Sequence, residues 1–185
     1  MGARSQSERV LRNFKGTGYD KGRPFAVQAL WFAFSALIVT KWWCPTAVRV
    51  AILRAFGAEI GTGVLIRHRV RVHWPWKLRI GNDTWIGEDA WILNLESVDI
   101  GHDVCISQGA FVCTGSHDFD SPSFEFDNAP IVIGDGVWLA ARCTILRGVR
   151  IGSNSLVGAN ALVTCDLAER SRVRAPRAVE VAARR

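Results

Sequence analysis

The sequence predicts an all-β solenoid in which short parallel strands wind into stacked triangular coils, with helices at the N-terminal end. Three observations predict it. An aliphatic residue recurs every six positions: Ile60, Ile66, Val72; Ile80, Ile86, Ile92; Ile100, Ile106, Val112; and, after a gap, Ile133, Leu139, Ile145 and Ile151, Val157, Val163. Glycine follows that residue at positions 61, 81, 87, 101, 134, 152 and 158. The fourth residue after it is mostly small or thin, as at Val64, Thr84, Ala90, Ala110, Ser116, Cys143, Ser155 and Ala161. A period of six matches neither the 3.6 of a helix nor the 2 of a half-buried strand. It matches one short strand plus one turn, with three such units closing a triangle and both the aliphatic and the small residue pointing inward. Gly, Asn and Asp suit the corners, where unusual backbone angles cost them little. Coils paired edge to edge at about 4.8 Å would make five coils rise about 24 Å.

Residues 1–57 read as a helical arm. Met1–Gln6 lacks a secretory apolar stretch, and Gln6 breaks the myristoylation pattern. Val27, Leu30, Trp31, Phe34, Leu37 and Ile38 recur at helical spacing inside the uncharged run Pro24–Thr40. That run is shorter than the roughly 20 residues a membrane span needs. A second helix is expected over Thr46–Phe56, with Val48, Ile52 and Phe56 on one side, Arg49 and Arg54 on others, and Gly57 as the stop. Two readings of the arm stand side by side: a cap over the open first coil, and a helix lying on a membrane face with Lys41, Trp42 and Trp43 at headgroup level. The cap is the preferred one.

The solenoid is expected over 58–168. Leu78-Arg79 and Val98-Asp99 are extra residues between coils, Trp76 and Glu96 break the small-residue rule and mark irregular corners, and residues 118–132 form an inserted loop. The tail 169–185 is basic, with six arginines from Arg170 onward and one acid, Glu180. Arginines there either grip phosphate as forks or form a solvated tail.

Composition narrows the rest. The 185 residues are 49% hydrophobic, enough for one packed domain and too many for a disordered chain. The net charge of +6 favours an anionic partner. It lies at one end without interleaved aromatic residues, which argues against nucleic acid. Five cysteines without a close pair point to a reducing, cytoplasmic compartment.

The hexapeptide repeat resembles the left-handed parallel β-helix acyltransferases. The similarity is closer still to the colanic acid biosynthesis acetyltransferase family of bacterial exopolysaccharide clusters. It is carried by Tyr19-Asp20-Lys21-Gly22-Arg23-Pro24, Pro75-Trp76-Lys77-Leu78, Ile106-Ser107-Gln108, Cys113-Thr114-Gly115-Ser116-His117-Asp118, Pro130-Ile131-Val132-Ile133-Gly134 and Trp138-Leu139-Ala140. These motifs span most of the chain. The resemblance implies an O-acetyltransferase that is a homotrimer, with acetyl-CoA as donor and a saccharide hydroxyl as acceptor. It also implies a CoA-binding set: Ala141 and Ala159 near the thioester, Thr164 in a late coil, Trp138 beside the pantetheine channel, and Arg177 in Arg174-Ala175-Pro176-Arg177. The lysine common after that threonine is Cys165 here. Asp89 and Asn94 correspond to acceptor-hydroxyl ligands in related sugar acetyltransferases, and polar corner residues are also ordinary turn formers.

His117 is the candidate catalytic residue. It ends the third coil where the chain leaves for the insertion, so it faces a groove, and acyl transfer to an alcohol needs a base near neutral pKa. Asp118 is the adjacent candidate for its orienting partner, and Asp120, Glu125 and Asp127 lie in the same loop. The backbone N–H of Ala141 is the candidate oxyanion donor. Cys113, four residues before His117, would permit a covalent acetyl-enzyme, but nothing in the sequence points to a lowered thiol pKa. A zinc hydrolyase on this fold would need three gathered histidines, and His68, His73, His102 and His117 do not supply them, so no metal is expected. The alternatives are acetylation of a glycosylated small molecule and a non-catalytic scaffold.

Overall fold

The structure is a computed structural model describing residues 9–179; the expectations placed on Met1–Gln6 and on Glu180, Arg184 and Arg185 lie outside it. Helix α1 spans Phe25–Phe34 and passes into a π-helical turn, Ser35–Val39; α2 spans Thr46–Ala55. Sixteen short strands follow, β1–β16 in chain order, wound into three parallel sheets. The first sheet stacks β1 (Glu59–Ile60), β4 (Leu78–Ile80), β7 (Val98–Ile100), β10 (Ile131–Ile133) and β13 (Arg150–Ile151). The second stacks β2 (Leu65–Ile66), β5 (Trp85–Ile86), β8 (Cys105–Ile106), β11 (Trp138–Leu139), β14 (Leu156–Val157) and β16 (Arg172–Val173). The third stacks β3 (Arg71–Val72), β6 (Trp91–Leu93), β9 (Phe111–Cys113), β12 (Thr144–Leu146) and β15 (Leu162–Val163).

The six-residue period is the register. Ile60 pairs with Ile80, Ile80 with Ile100, Ile100 with Ile133 and Ile133 with Ile151, so one column of side chains fills each interior face. These residues are buried, as are Val64, Thr84, Ala90, Ala110, Cys143 and Ser155 from the small set. Each buried aliphatic side chain contributes about 1.5–3 kcal/mol. Buried Thr84 is satisfied: its hydroxyl donates to the Gly101 carbonyl (2.9 Å) and accepts from the Val104 N–H (3.2 Å). The glycine after the first strand of each coil is needed for close approach. A Cβ on Gly81 would sit 2.5 Å from the Gly101 carbonyl carbon.

The solenoid exceeds the predicted boundary at 168. Leu167 bridges to Ile151, and β16 adds a strand six residues later, so a partial sixth coil occupies the start of the expected tail. Glycine follows neither Leu167 nor Val173, which hid this unit. The insertion is shorter than expected, because Ile131 and Val132 already belong to β10. Ser116 is not an inward residue: the chain has left the prism by then, and buried Thr114 seals that corner by hydrogen bonds to the Glu96 N–H (2.9 Å) and Leu93 carbonyl (3.2 Å). Trp76 does mark an irregular corner, a 3-10 turn over Pro75–Lys77.

Each coil donates its backbone N–H groups to the next, as Gly61 does to Ile80 and Gly81 to Ile100, both at 2.8 Å. The carbonyls of the first coil therefore lack a preceding coil to donate to them. The helical arm supplies the missing donors. Arg54 Nε binds the Ile60 carbonyl at 3.0 Å, Arg49 Nη1 and Thr46 Oγ1 bind that of Ile66 at 2.6 and 3.1 Å, and Trp31 Nε1 reaches those of Val72 and His73 at 3.3 and 2.9 Å. Arg49 is 2% exposed and also donates to the carbonyls of Val39, Lys41 and Cys44. Of the apolar side predicted for α2, Ile52 and Phe56 pack partly buried on the core while Val48 stays exposed, and the fully buried residues are Arg49, Val50 and Leu53. On α1 the buried residues are Gln28 and Trp31, joined by Val39 beyond the π turn; Leu30 and Leu37 of the predicted stripe are exposed. The arm thus caps the first coil with polar groups as well as apolar ones.

Candidate active site

Three edges join the three sheets. At the third, between β9 and β10, the chain leaves the prism through His117 and folds back, with an antiparallel bridge from His117 to Phe126. The His117 ring lies flat on Phe124 (centroids 4.3 Å apart, 7° between planes) and on Phe126 (5.1 Å, 22°), with Phe14 edge-on at 5.5 Å. His117 Nδ1 lies 2.8 Å from the Phe124 carbonyl oxygen. A carbonyl only accepts, so Nδ1 carries the hydrogen in the neutral ring and Nε2 keeps its lone pair. The group that sets the tautomer is this carbonyl and not Asp118, whose carboxylate accepts the Asp120 N–H at 3.0 Å in a local turn. Phe124 has a φ of +55°, the left-handed region that a bulky residue avoids unless its surroundings hold it there.

Those surroundings include a segment far away in sequence. Arg9 lies over the rings of Phe119 and Phe124 and donates to the Phe119 carbonyl. The N–H groups of Lys15 and Thr17 donate to the Glu125 carboxylate at 3.1 and 2.9 Å. Tyr19 packs on Phe126 and hydrogen-bonds Trp74. On the other side Arg147 pairs with Asp127. A cleft of about 620 Å³ is lined by Phe14, Lys15, Tyr19, Lys21, Trp74 and Phe126, and it shares the Phe126 ring with the His117 clamp. A second recess of about 300 Å³ lies between Gly115, Ser116, Leu146, Arg147 and Thr164.

The structure divides the remaining predicted residues between two places. Thr164 is on the third edge, in that recess beside Ser116. Trp138 is exposed on β11, its Nε1 donating to Ser107 Oγ at 2.9 Å. Ala141 and Ala159 stack on the second edge, where the Ala141 carbonyl accepts the Asn160 N–H. Arg177 is exposed beyond β16. Within one copy, then, His117 and the Trp138–Ala141–Ala159 wall belong to different edges. Asp89 is also on the second edge, at the left-handed position of a turn (φ +59°), with its carboxylate bound by Arg69 at 2.8 and 2.9 Å and its pKa held below the usual range by that hydrogen bond.

Asn94 is corrected. It is 0% exposed, and its amide is consumed by the Trp74 carbonyl (2.6 Å), the Lys77 carbonyl (3.1 Å) and the His73 and Trp74 N–H groups. It braces the 3-10 corner and offers nothing to an acceptor. Cys113 is likewise buried and not on the surface; burial raises its thiol pKa, and its sulfur lies 3.3 Å from the Gly115 carbonyl. The thiolate a covalent route needs is disfavoured there. Among the described residues no three His, Cys, Asp or Glu side chains are grouped as metal ligands. Missed from the sequence were Phe14, Trp74, Phe124 and Phe126. The crowding of Phe119, Phe124 and Phe126 in a loop that would otherwise be polar was the available signal.

Comparison with known proteins adds an independent finding. Residues 130–165 match the family described as bacterial transferase hexapeptide (six repeats). Over 155 residues, 83% of this chain and 82% of the relative, the sequence is 40% identical to an Escherichia coli protein provisionally named colanic acid biosynthesis acetyltransferase WcaF. A hexapeptide-repeat acetyltransferase from Vibrio cholerae, solved with acetyl-CoA, superposes with a TM-score of 0.78 at 25% identity, covering 89% of this chain and 91% of that one. A galactoside acetyltransferase solved with coenzyme A has a TM-score of 0.76 at 21% identity, covering 86% and 80%, a likeness of fold alone.

Proposed function

The chain belongs to the colanic acid biosynthesis acetyltransferase family of hexapeptide-repeat proteins, and from that premise we propose that it moves an acetyl group from acetyl-CoA to a hydroxyl of a saccharide used in exopolysaccharide or envelope glycan assembly. The observation that carries the mechanism is the His117 ring, clamped between Phe124 and Phe126 with Nδ1 on the Phe124 carbonyl. In this reading Nε2 takes the acceptor hydroxyl proton as the oxygen attacks the thioester carbonyl, and the imidazolium then returns the proton to the departing CoA sulfur. A backbone N–H, that of Ala141, stabilises the oxyanion. Direct transfer is favoured over an acetyl-enzyme by the burial of Cys113.

The separation of His117 from Trp138, Ala141 and Ala159 on two prism edges supports a homotrimer in which a groove between copies unites the edges. Thr164 and Arg177 would then serve the CoA side. An uncharged row on the arm, with Phe25 81% and Trp42 80% exposed beside Leu30 and Leu37, is flanked by Lys21, Arg23 and Lys41. That arrangement supports peripheral contact with the anionic inner face of a membrane from the cytoplasm. No helix among the described residues is long and apolar enough to cross one.

The test is steady-state acetyl transfer by the full chain, following release of the CoA thiol and acetylation of the saccharide. His117→Ala should lower kcat by about 10²–10⁴ while CoA affinity is retained. Cys113→Ala should stay active with no acetylated protein accumulating. Wild-type turnover by His117→Ala would overturn the assignment, and absence of CoA binding would favour the scaffold reading.

A further inference from the structure

Asp89 lies on the second edge, apart from His117 within one copy, and Asn94 is wholly occupied, so partners for a saccharide are sought elsewhere in this chain. The cleft that shares the Phe126 ring with the His117 clamp supplies them. Its wall is a continuous series of rings: Phe126 stacks on His117, Tyr19 meets Phe126 at 4.9 Å, and Tyr19 hydrogen-bonds the buried Trp74. His73 and Phe32 extend the wall, with the His73 and Trp74 rings 4.3 Å apart. Apolar faces with few polar groups are what a preformed small-molecule site presents. At its rim stand Lys15 and Lys21. Neighbouring carboxylates are committed elsewhere: Glu125 to the backbone N–H groups of Lys15 and Thr17, and Asp20 to that of Gly22. Among the described residues neither lysine is in a salt bridge. Lys21 makes its charge felt on the cleft wall, where burial and then Lys21 lower His73 to about 4 and keep it neutral.

We propose that this aromatic cleft is the acceptor site and that Lys15 and Lys21 select a saccharide bearing an anionic group, a carboxylate or a phosphate. This rests on His117 being the base, which would sit at one end of the cleft with the acidic group held at the rim.

The experiment compares three acceptors of similar size at saturating acetyl-CoA: a neutral oligosaccharide, one containing a uronic acid, and a sugar phosphate. The same three are titrated calorimetrically, so that binding is read without turnover. An anionic acceptor should show a KM and Kd lower by on the order of tenfold, a preference that weakens with salt. Preference for the uronate alone identifies a carboxylate, and preference for the phosphate alone identifies that group. The Lys15→Ala, Lys21→Ala double variant should raise the KM and Kd of the anionic acceptors to the level of the neutral one. Tyr19→Ala should weaken all acceptors alike. Equal binding of neutral and anionic saccharides, or a preference that survives the double variant, would overturn the proposal. A failure of the base assignment would show separately, as turnover by His117→Ala with the binding preference intact.

Discussion

Replacing Arg49 with Met removes four hydrogen bonds and leaves a hydrophobic stem of similar length. The structure says what each bond is worth. The carbonyls of Lys41 and Ile66 keep a second donor, the Cys44 N–H (3.3 Å) and Thr46 Oγ1 (3.1 Å). Those of Val39 and Cys44 lose the donors that held them at 2.6 and 2.9 Å. Leaving a buried acceptor unsatisfied costs about 1–3 kcal/mol, and weakening a doubly served one costs less, giving a gross loss of about 4–5 kcal/mol. Against this, burial already disfavours the charge and pulls the Arg49 pKa down, so removing the guanidinium recovers part of its desolvation. A net loss of about 3 kcal/mol is expected. With a urea m-value of about 2 kcal/mol/M the midpoint falls by about 1.5 M at fixed protein concentration, with m unchanged. Arg54→Ala, which removes an exposed guanidinium, should shift it by far less. An Arg49→Met midpoint within 0.3 M of wild type, a shift of about 0.6 kcal/mol at that slope, would refute the idea that the arm completes the first coil's hydrogen bonding.

Three further outcomes are expected. Burial holds His73 at about 4, below the ordinary histidine value of 6.5, so the unfolded chain binds a proton that the folded one refuses. Stability is full above pH 6.5 and falls as the pH drops toward 4, by about 3 kcal/mol at the limit; the fall should be visibly shallower in His73→Phe, and an identical slope would refute the account. Light scattering at micromolar concentration should give about three times the 20.4 kDa of one chain, and a stable monomer that still binds CoA would remove the shared-groove site. Flotation with anionic vesicles should show weak binding that salt abolishes and that a Trp42→Glu, Leu37→Glu variant lacks; equal flotation with neutral vesicles would contradict the charge argument.

The repeat was legible because a buried column forces one residue type at one spacing, so Ile60, Ile80, Ile100, Ile133 and Ile151 declare themselves. Leu167 did not, lacking the glycine that marks its counterparts. Arg49 was misplaced because an arginine on an amphipathic helix reads as outward; only the orphan carbonyls of the first coil give it a reason to turn in. Asn94 looked like a ligand from its correspondence with related sugar acetyltransferases, whereas the demand that claims it, a 3-10 turn about twenty residues earlier, is invisible locally. His117 was singled out by its motif. Its aromatic clamp was not, since Phe14 and Tyr19 reach it across more than a hundred residues of chain.

The three edges of the prism differ in how they tolerate change. On the first, every coil turns in four residues, and the five full coils open that turn with glycine, at 61, 81, 101, 134 and 152, where the backbones are too close for any side chain. The second also keeps four-residue turns throughout. Every change of length, from the 3-10 corner at Pro75–Lys77 to the loop that carries Phe124, falls on the third. Two edges therefore act as fixed seams that keep the strands in step, and the third is an open margin where segments can be lengthened or exchanged without disturbing the stack. The segment that carries His117, Phe124 and Phe126 lies on that margin, so the surroundings of the histidine can change in length while the register of every coil is kept.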